Sequence, residues 1–272
     1  MQTKILFTDL DGTLLNDNKT VSDALFETLQ QLQEKGHILV LSSGRPLDSI
    51  LEVKEMLELQ NRGLYVSAYN GGLVYDCNLE KSVIEKRVSF ADVSYILDVA
   101  RHTHTYCQTY TATHIVTEKE SKELEFYLKT IHLPVICTPR PIDALSEEPF
   151  KLLAIDLDNH ENLEQFKKTL MPWANGRITT LYSNPMYLEL VPASAGKGQA
   201  LAELCKHLQI PLTNAMSAGD MENDISMLEV AGCSVAMQNA APRVKEIADL
   251  TSEYDNNHDG LLPYIKEFFT LP

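Results

Sequence analysis

The sequence has few cysteines and lacks the spacing that would give them a structural role. Its 272 residues contain five cysteines, an odd number, spread from Cys77 to Cys233 without a Cys-x-x-Cys pair. We therefore expect neither a disulfide framework nor a zinc knuckle. This cysteine usage predicts a reducing compartment, the cytoplasm.

The features that would indicate a membrane or nucleic-acid partner are also missing. No apolar run approaches the roughly 18 residues of a membrane span, and the short run before Asp9 lacks the length and cleavage site of a signal peptide. The 23 Lys and Arg residues face 38 Asp and Glu residues, so the formal net charge is -15 at pH 7. Nucleic-acid binders carry a basic surface, so we expect no such partner. A small anionic substrate stays compatible, because a metal ion and a few local cations override the global charge.

What the sequence does contain is an alternation of strand and helix patterns at both ends. Apolar residues make up 44% of the chain, enough to bury a sizeable core. Strands are predicted at 5–7, 37–41, 64–66, 215–218 and 234–237, and helices at 22–35, 47–59, 197–208, 242–248 and 263–269. Such alternation predicts an α/β fold with a Rossmann-like, doubly wound parallel sheet.

The middle of the chain has a different pattern. Predicted strands at 105–111, 115–116, 152–157 and 188–191 mix with helices at 90–101, 118–130 and 163–169, and the glycine and aspartate signals at strand ends are missing. We therefore predict a second α+β domain inserted at residues 84–190. The sheet domain is then discontinuous, with residues 1–83 and 191–272.

Polar residues follow four predicted strands of the core, where ligands bind in open parallel sheets. They are Asp9 and Asp11 after the first strand, Ser43, Gly44 and Arg45 after the second, Asn70 after the third, and Asp220, Asn223 and Asp224 after the fourth. Lys197 begins a predicted helix. Carboxylate oxygens suit a hard cation such as Mg²⁺, and a lysine, a hydroxyl and free amides suit a phosphate. The pattern predicts a site for a metal ion and a phosphate.

Four of these segments resemble, in order, the four motifs of the haloacid dehalogenase superfamily. They are Asp9-Leu10-Asp11-Gly12-Thr13, Ser43-Gly44-Arg45, Lys197, and Gly219-Asp220 through Asp224. The segments 235–242 and 257–261 further resemble the Cof-type phosphatases, which carry a large α/β cap between the second and third motifs. The second motif often has threonine where this chain has Ser43, which also supplies a hydroxyl. The resemblance covers essentially the whole chain.

The resemblance implies a role for each site residue. Asp9 would attack phosphorus and become phosphorylated, and Asp11 would protonate the leaving alcohol and then activate water. Asp9, the Asp11 backbone carbonyl and Asp220 would hold Mg²⁺, with Asp224 orienting them. Phosphate oxygens would be gripped by Ser43, Lys197, Asn223 and the amides of Leu10 and Gly44, while Arg45 and Asn70 would face the leaving group. The expected reaction is hydrolysis of a small phosphomonoester, a sugar phosphate or a phosphorylated cofactor, between core and cap.

Two other functions remain open at this point. A phosphomutase or phosphotransferase would use the same phosphorylated aspartate and pass the phosphate to a sugar. A non-catalytic sensor of a phosphorylated metabolite would be expected to lose the nucleophile or the acid, whereas Asp9, Asp11, Lys197 and Asp220 are all present. His102, His104 and His114 could form a zinc site, although surface or packing histidines are the simpler interpretation.

Overall fold

The chain folds into two sheets covered by helices. The computed structural model describes residues 2–272. The strands are β1 (Ile5–Asp9), β2 (Ile38–Ser42), β3 (Leu64–Ala68), β4 (Leu73–Asp76), β5 (Lys81–Glu85), β6 (Tyr106–Tyr110), β7 (Ile115–Thr117), β8 (Val135–Cys137), β9 (Leu152–Ile155), β10 (Ile178–Asn184), β11 (Tyr187–Pro192), β12 (Ala215–Gly219), β13 (Cys233–Ala236) and β14 (Leu250–Thr251). The helices are α1 (Asp23–Glu34), α2 (Leu47–Met56), α3 (Phe90–His102), α4 (Lys122–Tyr127), α5 (His160–Ala174), α6 (Lys197–Leu208), α7 (Ile225–Val230), α8 (Pro242–Ile247) and α9 (Leu262–Phe269).

The first compact unit runs to Glu85 and resumes at Gly196–Pro272. Its sheet has eight strands in the order β14-β13-β12-β1-β2-β3-β4-β5, and β14 through β3 are parallel. The central strand β1 is buried at all five residues, as expected for a parallel strand covered on both faces. The predicted fold class, a doubly wound parallel sheet with an α+β insert, is confirmed.

Helix α1 shows how the sequence fixes an element of this unit. The Ser22 side chain accepts a hydrogen bond from the Leu25 amide and caps the first turn. Leu25, Leu29 and Leu32 recur at helical spacing and are buried. The helix ends before Gly36, whose φ of 77° is open to glycine without strain.

The antiparallel edge of this sheet was not predicted. β4 pairs with β3 and β5 in antiparallel register, which forms a meander at residues 64–85. Of these three strands the sequence predicts only β3, because Asn70-Gly71-Gly72 is typical of a strand end. The structure has a single 3₁₀ turn there and the chain then returns along β3.

The second compact unit comprises Lys86–Ala195. Its six-stranded sheet has the order β10-β11-β9-β6-β7-β8 and is antiparallel except for the β7–β8 pair. One face packs on α3 and α5 through a core that includes Ile96 and Phe166. The units divide after Glu85 and Ala195, whereas the predicted insert is 84–190, so β11 lies wholly within the second unit.

Two helices of this unit differ in length from the prediction at 118–130 and 163–169. α4 begins only at Lys122, because the Ser121 side chain caps it by accepting from the Leu124 amide. α5 begins after the capping side chain of Asn159 and continues through Pro172 to Ala174.

Within residues 2–272, no helix is both long and apolar enough to cross a membrane, and all five cysteines are free thiols.

Candidate active site

A buried lysine joins two aspartates at the carboxyl ends of the central strands. The Lys197 ammonium lies 2.5 Å from Asp9 Oδ1 and 2.6 Å from Asp224 Oδ1. Asp9 ends β1, and Lys197 is the first residue of α6. Burial opposes the charge on Lys197, but Asp224 and Asp9 outweigh it and raise its pKa. Lys197 is therefore a permanent positive charge beside Asp9.

Asp224 uses both of its carboxylate oxygens within the protein. Oδ1 accepts from Lys197, while Oδ2 accepts from the backbone amides of Asp220 and Met221 at 2.9 and 3.0 Å. These bonds fix the turn after β12 that carries Asp220. Both oxygens of Asp224 are therefore occupied by Lys197 and by the backbone of the turn after β12.

Three buried carboxylates converge beside this lysine. Oxygens of Asp9, Asp220 and Asp224 all lie within 4.8 Å of one another, the one such cluster of three or more ligand-type side chains within residues 2–272. Burial raises the pKa of Asp220 to about 7, with Asp224 adding to the effect. Burial likewise raises the pKa of Asp9, against the opposing charge of Lys197.

The donor set fits a divalent cation. Three carboxylates with one lysine leave the cluster two positive charges short of neutrality, and all the candidate donors are hard oxygens. Burial first, and then the neighbouring carboxylates, raise the pKa values of Asp9 and Asp220. A cation close to these oxygens would favour their charged forms. Mg²⁺ matches this chemistry.

Asp11 lies at the edge of the cluster and binds two cations. Arg45 donates to both carboxylate oxygens, from Nε to Oδ2 at 2.7 Å and from Nη2 to Oδ1 at 2.6 Å. Lys19 Nζ also donates to Oδ1 at 2.6 Å. Burial would raise the pKa of Asp11, but Arg45 and Lys19 outweigh it and the pKa lies below its usual value. The Asp11 side chain is still 37% exposed, so it is open to solvent.

The predicted phosphate-binding residues follow β2 and β3. Ser43 is buried and its hydroxyl accepts from the Arg45 amide at 3.2 Å, while Gly44 lies between them. Asn70 is buried in a backbone conformation with φ of 55°. Its Oδ1 accepts from Asn223 Nδ2 at 3.0 Å, which leaves Asn70 Nδ2 and Asn223 Oδ1 buried without a hydrogen bond. Unpaired buried groups of this kind indicate that the site is built for further polar partners.

Leu10 stands between the two predicted catalytic aspartates and is fully buried. Its carbonyl accepts from the Leu15 amide at 2.8 Å and so closes the loop that follows β1. The loop thereby keeps Asp9 and Asp11 at a fixed separation at the strand end.

Two residues of the site were not singled out from the sequence. The Thr13 hydroxyl donates to Asp220 Oδ1 at 2.8 Å and links the loops after β1 and β12. Its place directly after Asp-x-Asp-Gly was the available signal. Lys19 binds Asp11 across eight residues of loop, and no spacing rule for helices or strands would have indicated that contact.

The histidines considered for zinc lie elsewhere in the second unit. His102 Nδ1 contacts the Asp98 carbonyl at 2.6 Å, and His114 Nδ1 contacts the Thr113 hydroxyl at 2.8 Å. Neither they nor His104 belong to a group of three metal ligands within the described residues. The structure thus favours the surface interpretation.

Comparisons with known proteins agree on one family. A model of the haloacid dehalogenase-like hydrolases matches residues 6–265. A candidate phosphatase of Streptococcus pyogenes is 30% identical over 274 residues, covering 98% of this chain and 99% of that protein. The 5-amino-6-(5-phospho-D-ribitylamino)uracil phosphatase YitU of Bacillus subtilis is 27% identical, with both chains covered completely. The crystal structure of a haloacid dehalogenase-like hydrolase from Bacteroides thetaiotaomicron superposes with a TM-score of 0.87 at 30% identity, covering 98% of this chain and 99% of that one.

Proposed function

We propose how this chain, which belongs to the haloacid dehalogenase-like hydrolases and is a phosphatase, carries out its reaction. Asp9 receives the phosphoryl group of a small phosphorylated metabolite, and water then releases it. The single observation that supports this most strongly is the buried Asp9 carboxylate, 2.5 Å from the Lys197 ammonium and within 4.8 Å of the Asp220 carboxylate. A carboxylate is a weak nucleophile that meets an anionic phosphate, so it needs the Lys197 ammonium and a cation held by the neighbouring carboxylates to offset the repulsion.

In the first step an Asp9 oxygen forms a bond to phosphorus, and the bond from phosphorus to the leaving oxygen breaks. Arg45 and Lys19 favour the charged form of Asp11 in the free enzyme, so Asp11 takes up a proton from solvent as the substrate binds. It gives that proton to the leaving oxygen, and the leaving group departs as an alcohol. In the second step Asp11 takes a proton from water as the water oxygen attacks phosphorus. Inorganic phosphate leaves and Asp9 is restored. Both steps require Asp11 to lie beside the phosphoryl group and not in the buried cluster, and its partial exposure is consistent with this.

Lys197 has one donor left for substrate. An ammonium has three N–H groups, and Asp9 and Asp224 accept two of them. The third is available to an oxygen of the phosphoryl group. Ser43, the amides of Leu10 and Gly44, and Asn223 would supply the other donors, with Asn70 and Arg45 toward the leaving group.

The metal would be held by the carboxylates of Asp9 and Asp220 and by the backbone carbonyl of Asp11. Asp224 would orient this set, because both of its oxygens already accept hydrogen bonds. When bound, Mg²⁺ supplies the positive charge that lets two anions approach and that stabilises the transition state.

The names of the relatives suggest which substrate classes to test first. One relative is named for dephosphorylating 5-amino-6-(5-phospho-D-ribitylamino)uracil, so a phosphorylated cofactor precursor and a sugar phosphate are the first classes to test. The cytoplasmic location remains a prediction that rests on the five free thiols.

The test is phosphate release from a panel of phosphorylated metabolites, with Mg²⁺ and with EDTA, for the native protein and Asp9→Asn. The panel includes sugar phosphates, flavin mononucleotide, pyridoxal phosphate and the phosphorylated ribitylaminouracil. We expect release that needs Mg²⁺ and that Asp9→Asn abolishes. Release that survives the substitution would remove Asp9 as the nucleophile.

Two controls separate the other functions. A phosphotransferase would release phosphate slowly. Sugars added as acceptors would then accelerate consumption of the phosphorylated donor. A sensor would bind a panel member, seen as a rise in melting temperature, without releasing phosphate from it. Either result would replace hydrolysis as the function.

A further inference from the structure

The turn that follows β3 has an unusual backbone conformation. Tyr69, Asn70 and Gly71 are all buried, and their φ angles are 53°, 55° and 84°. Residues with side chains rarely adopt this left-handed region, and they do so as single residues more often than in succession. Such a turn persists only where the surrounding structure imposes it, and turns of this kind concentrate at functional sites. Its contacts therefore indicate what the turn serves.

Two backbone hydrogen bonds tie this turn to the segment that follows β2. The Tyr69 amide donates to the Arg45 carbonyl at 3.1 Å, and the Asn70 amide donates to the Ser43 carbonyl at 3.0 Å. Both acceptors belong to residues that we expect to face the substrate. The turn after β3 therefore fixes the backbone that carries the Ser43 hydroxyl.

Gly71 brings the same turn against the residue that precedes Lys197. A Cβ atom on Gly71 would lie 2.3 Å from the Gly196 carbonyl oxygen and 2.7 Å from its carbonyl carbon, so the two backbones touch with no room for a side chain. The Gly196 carbonyl also accepts a hydrogen bond in the first turn of α6, from the Ala200 amide at 2.9 Å. It cannot move away from Gly71 without disturbing this turn, and Lys197 is the first residue of the helix.

The other side of this helical turn is in close contact with α7. A Cβ atom on Gly198 would lie 2.2 Å from the Ser226 carbonyl oxygen, and the Gly198 amide donates to the Ser226 hydroxyl at 3.1 Å. Lys197 stands between these two contacts, and its side chain is fully buried. Backbone contacts on both sides therefore decide where the Lys197 ammonium meets Asp9 and Asp224, at 2.5 and 2.6 Å.

We propose that Gly71 and Gly198 are positioning residues for Lys197. Their contacts set the spacing between the Lys197 ammonium and the Ser43 hydroxyl. This inference rests on the proposed function, in which both groups bind oxygens of one phosphoryl group, and neither glycine touches the substrate itself. The turn after β3 contacts the backbone of both donors at once, because it bonds to Ser43 and touches the residue before Lys197. A contact that served folding alone would have no need to join two phosphate donors.

Titration calorimetry with inorganic phosphate tests this spacing without requiring turnover. The Mg²⁺-loaded protein is titrated with phosphate, and the EDTA-treated protein is dialysed and titrated separately with Mg²⁺. In Gly71→Ala the added methyl group must displace the Gly196 backbone. We therefore expect phosphate to bind about 10-fold more weakly, as for loss of a hydrogen bond to a charged group. Mg²⁺ affinity should stay within about threefold, because Lys197 is not among the metal ligands. Gly198→Ala presses on the same turn from the side of α7, at a position that needs no left-handed backbone, and should show the same selective loss.

Gly63→Ala is the matched control. Gly63 lies at the opposite end of β3, has a φ of 72°, and would place its Cβ 3.1 Å from the His37 carbonyl oxygen. The melting temperature of this variant should fall, while both affinities stay native. Native phosphate affinity in either site variant, an equal loss of phosphate affinity in Gly63→Ala, a parallel loss of Mg²⁺ affinity, or failure of both site variants to fold would overturn the positioning role. Release of phosphate by Asp9→Asn would instead refute the proposed nucleophile and leave these affinities unchanged.

Discussion

The stability of the metal-free protein should fall as the pH rises, and Asp220 should account for much of the fall. Its pKa is raised from 3.8 to about 7 by burial first and then by Asp224. Between those values the folded state holds a proton that the unfolded state has lost, so folding stability decreases as pH increases. The stability that this proton contributes is fully present below about pH 4 and is lost as the pH rises through about 7. For these two pKa values, linkage gives about 3 kcal/mol between pH 5 and pH 8.

The assay is urea unfolding in EDTA at pH 5 and pH 8, for the native protein and Asp220→Asn. We expect the native protein to lose about 3 kcal/mol more than the variant over this interval. Mg²⁺ added at pH 8 should stabilise the native protein and leave the variant almost unchanged, because ligands that bind only the folded state stabilise it. Asp11→Asn is a matched control. The lowered pKa of Asp11 places its contribution below pH 4, so this variant should keep the native dependence from pH 5 to 8. Equal pH dependence of native protein and Asp220→Asn would refute the reasoning.

Two further substitutions test the cluster from other sides. Lys197→Met removes the cation shared by Asp9 and Asp224, so it should abolish phosphate release. It should also lower the free energy of unfolding by about 3 kcal/mol at pH 8. The loss should be smaller at pH 5, because the unpaired carboxylates can accept protons there. Urea unfolding at both pH values checks this, and an equal cost at both would contradict it. Gly12→Ala would place a Cβ 2.6 Å from Asp220 Oδ2 at a φ of 83°, so the Mg²⁺ concentration for half-maximal activity should rise about 10-fold or more. Gly36→Ala has a similar φ of 77° with nothing within 4 Å, and a rise in that variant too would assign the effect to backbone strain.

The parallel core could be predicted because its signals are local. Each predicted strand of the first unit combines a short buried apolar run with a polar or glycine-rich end, and β1 before Asp9 is the clearest case. The β3–β4–β5 meander was missed because its pairing depends on contacts between strands, which an apolar run such as Leu73-Val74 does not reveal. The ends of α4 and α5 shifted for a similar reason, since side-chain caps at Ser121 and Asn159 decide where each helix begins.

The sequence predicts which residues lie in the candidate site, but it does not predict the hydrogen bonds between them. Motif order pointed to Asp9, Asp220 and Lys197 as neighbours. That Lys197 bridges Asp9 and Asp224, and that Asp224 uses its second oxygen on two amides, depends on how four loops meet. Lys19 gave no periodic signal, because a left-handed loop conformation brings it to Asp11.

The central claim is that Asp9 carries the phosphoryl group, and chemical trapping tests it most directly. Asp11→Asn lacks the base for the second step, and p-nitrophenyl phosphate needs little protonation to react, so this pair should accumulate the phosphorylated enzyme. Acid quenching followed by borohydride reduction converts an aspartyl phosphate into homoserine, which peptide mass spectrometry locates. The account predicts homoserine at position 9, dependent on Mg²⁺ and on substrate. Homoserine at another aspartate, or turnover without any, would contradict it.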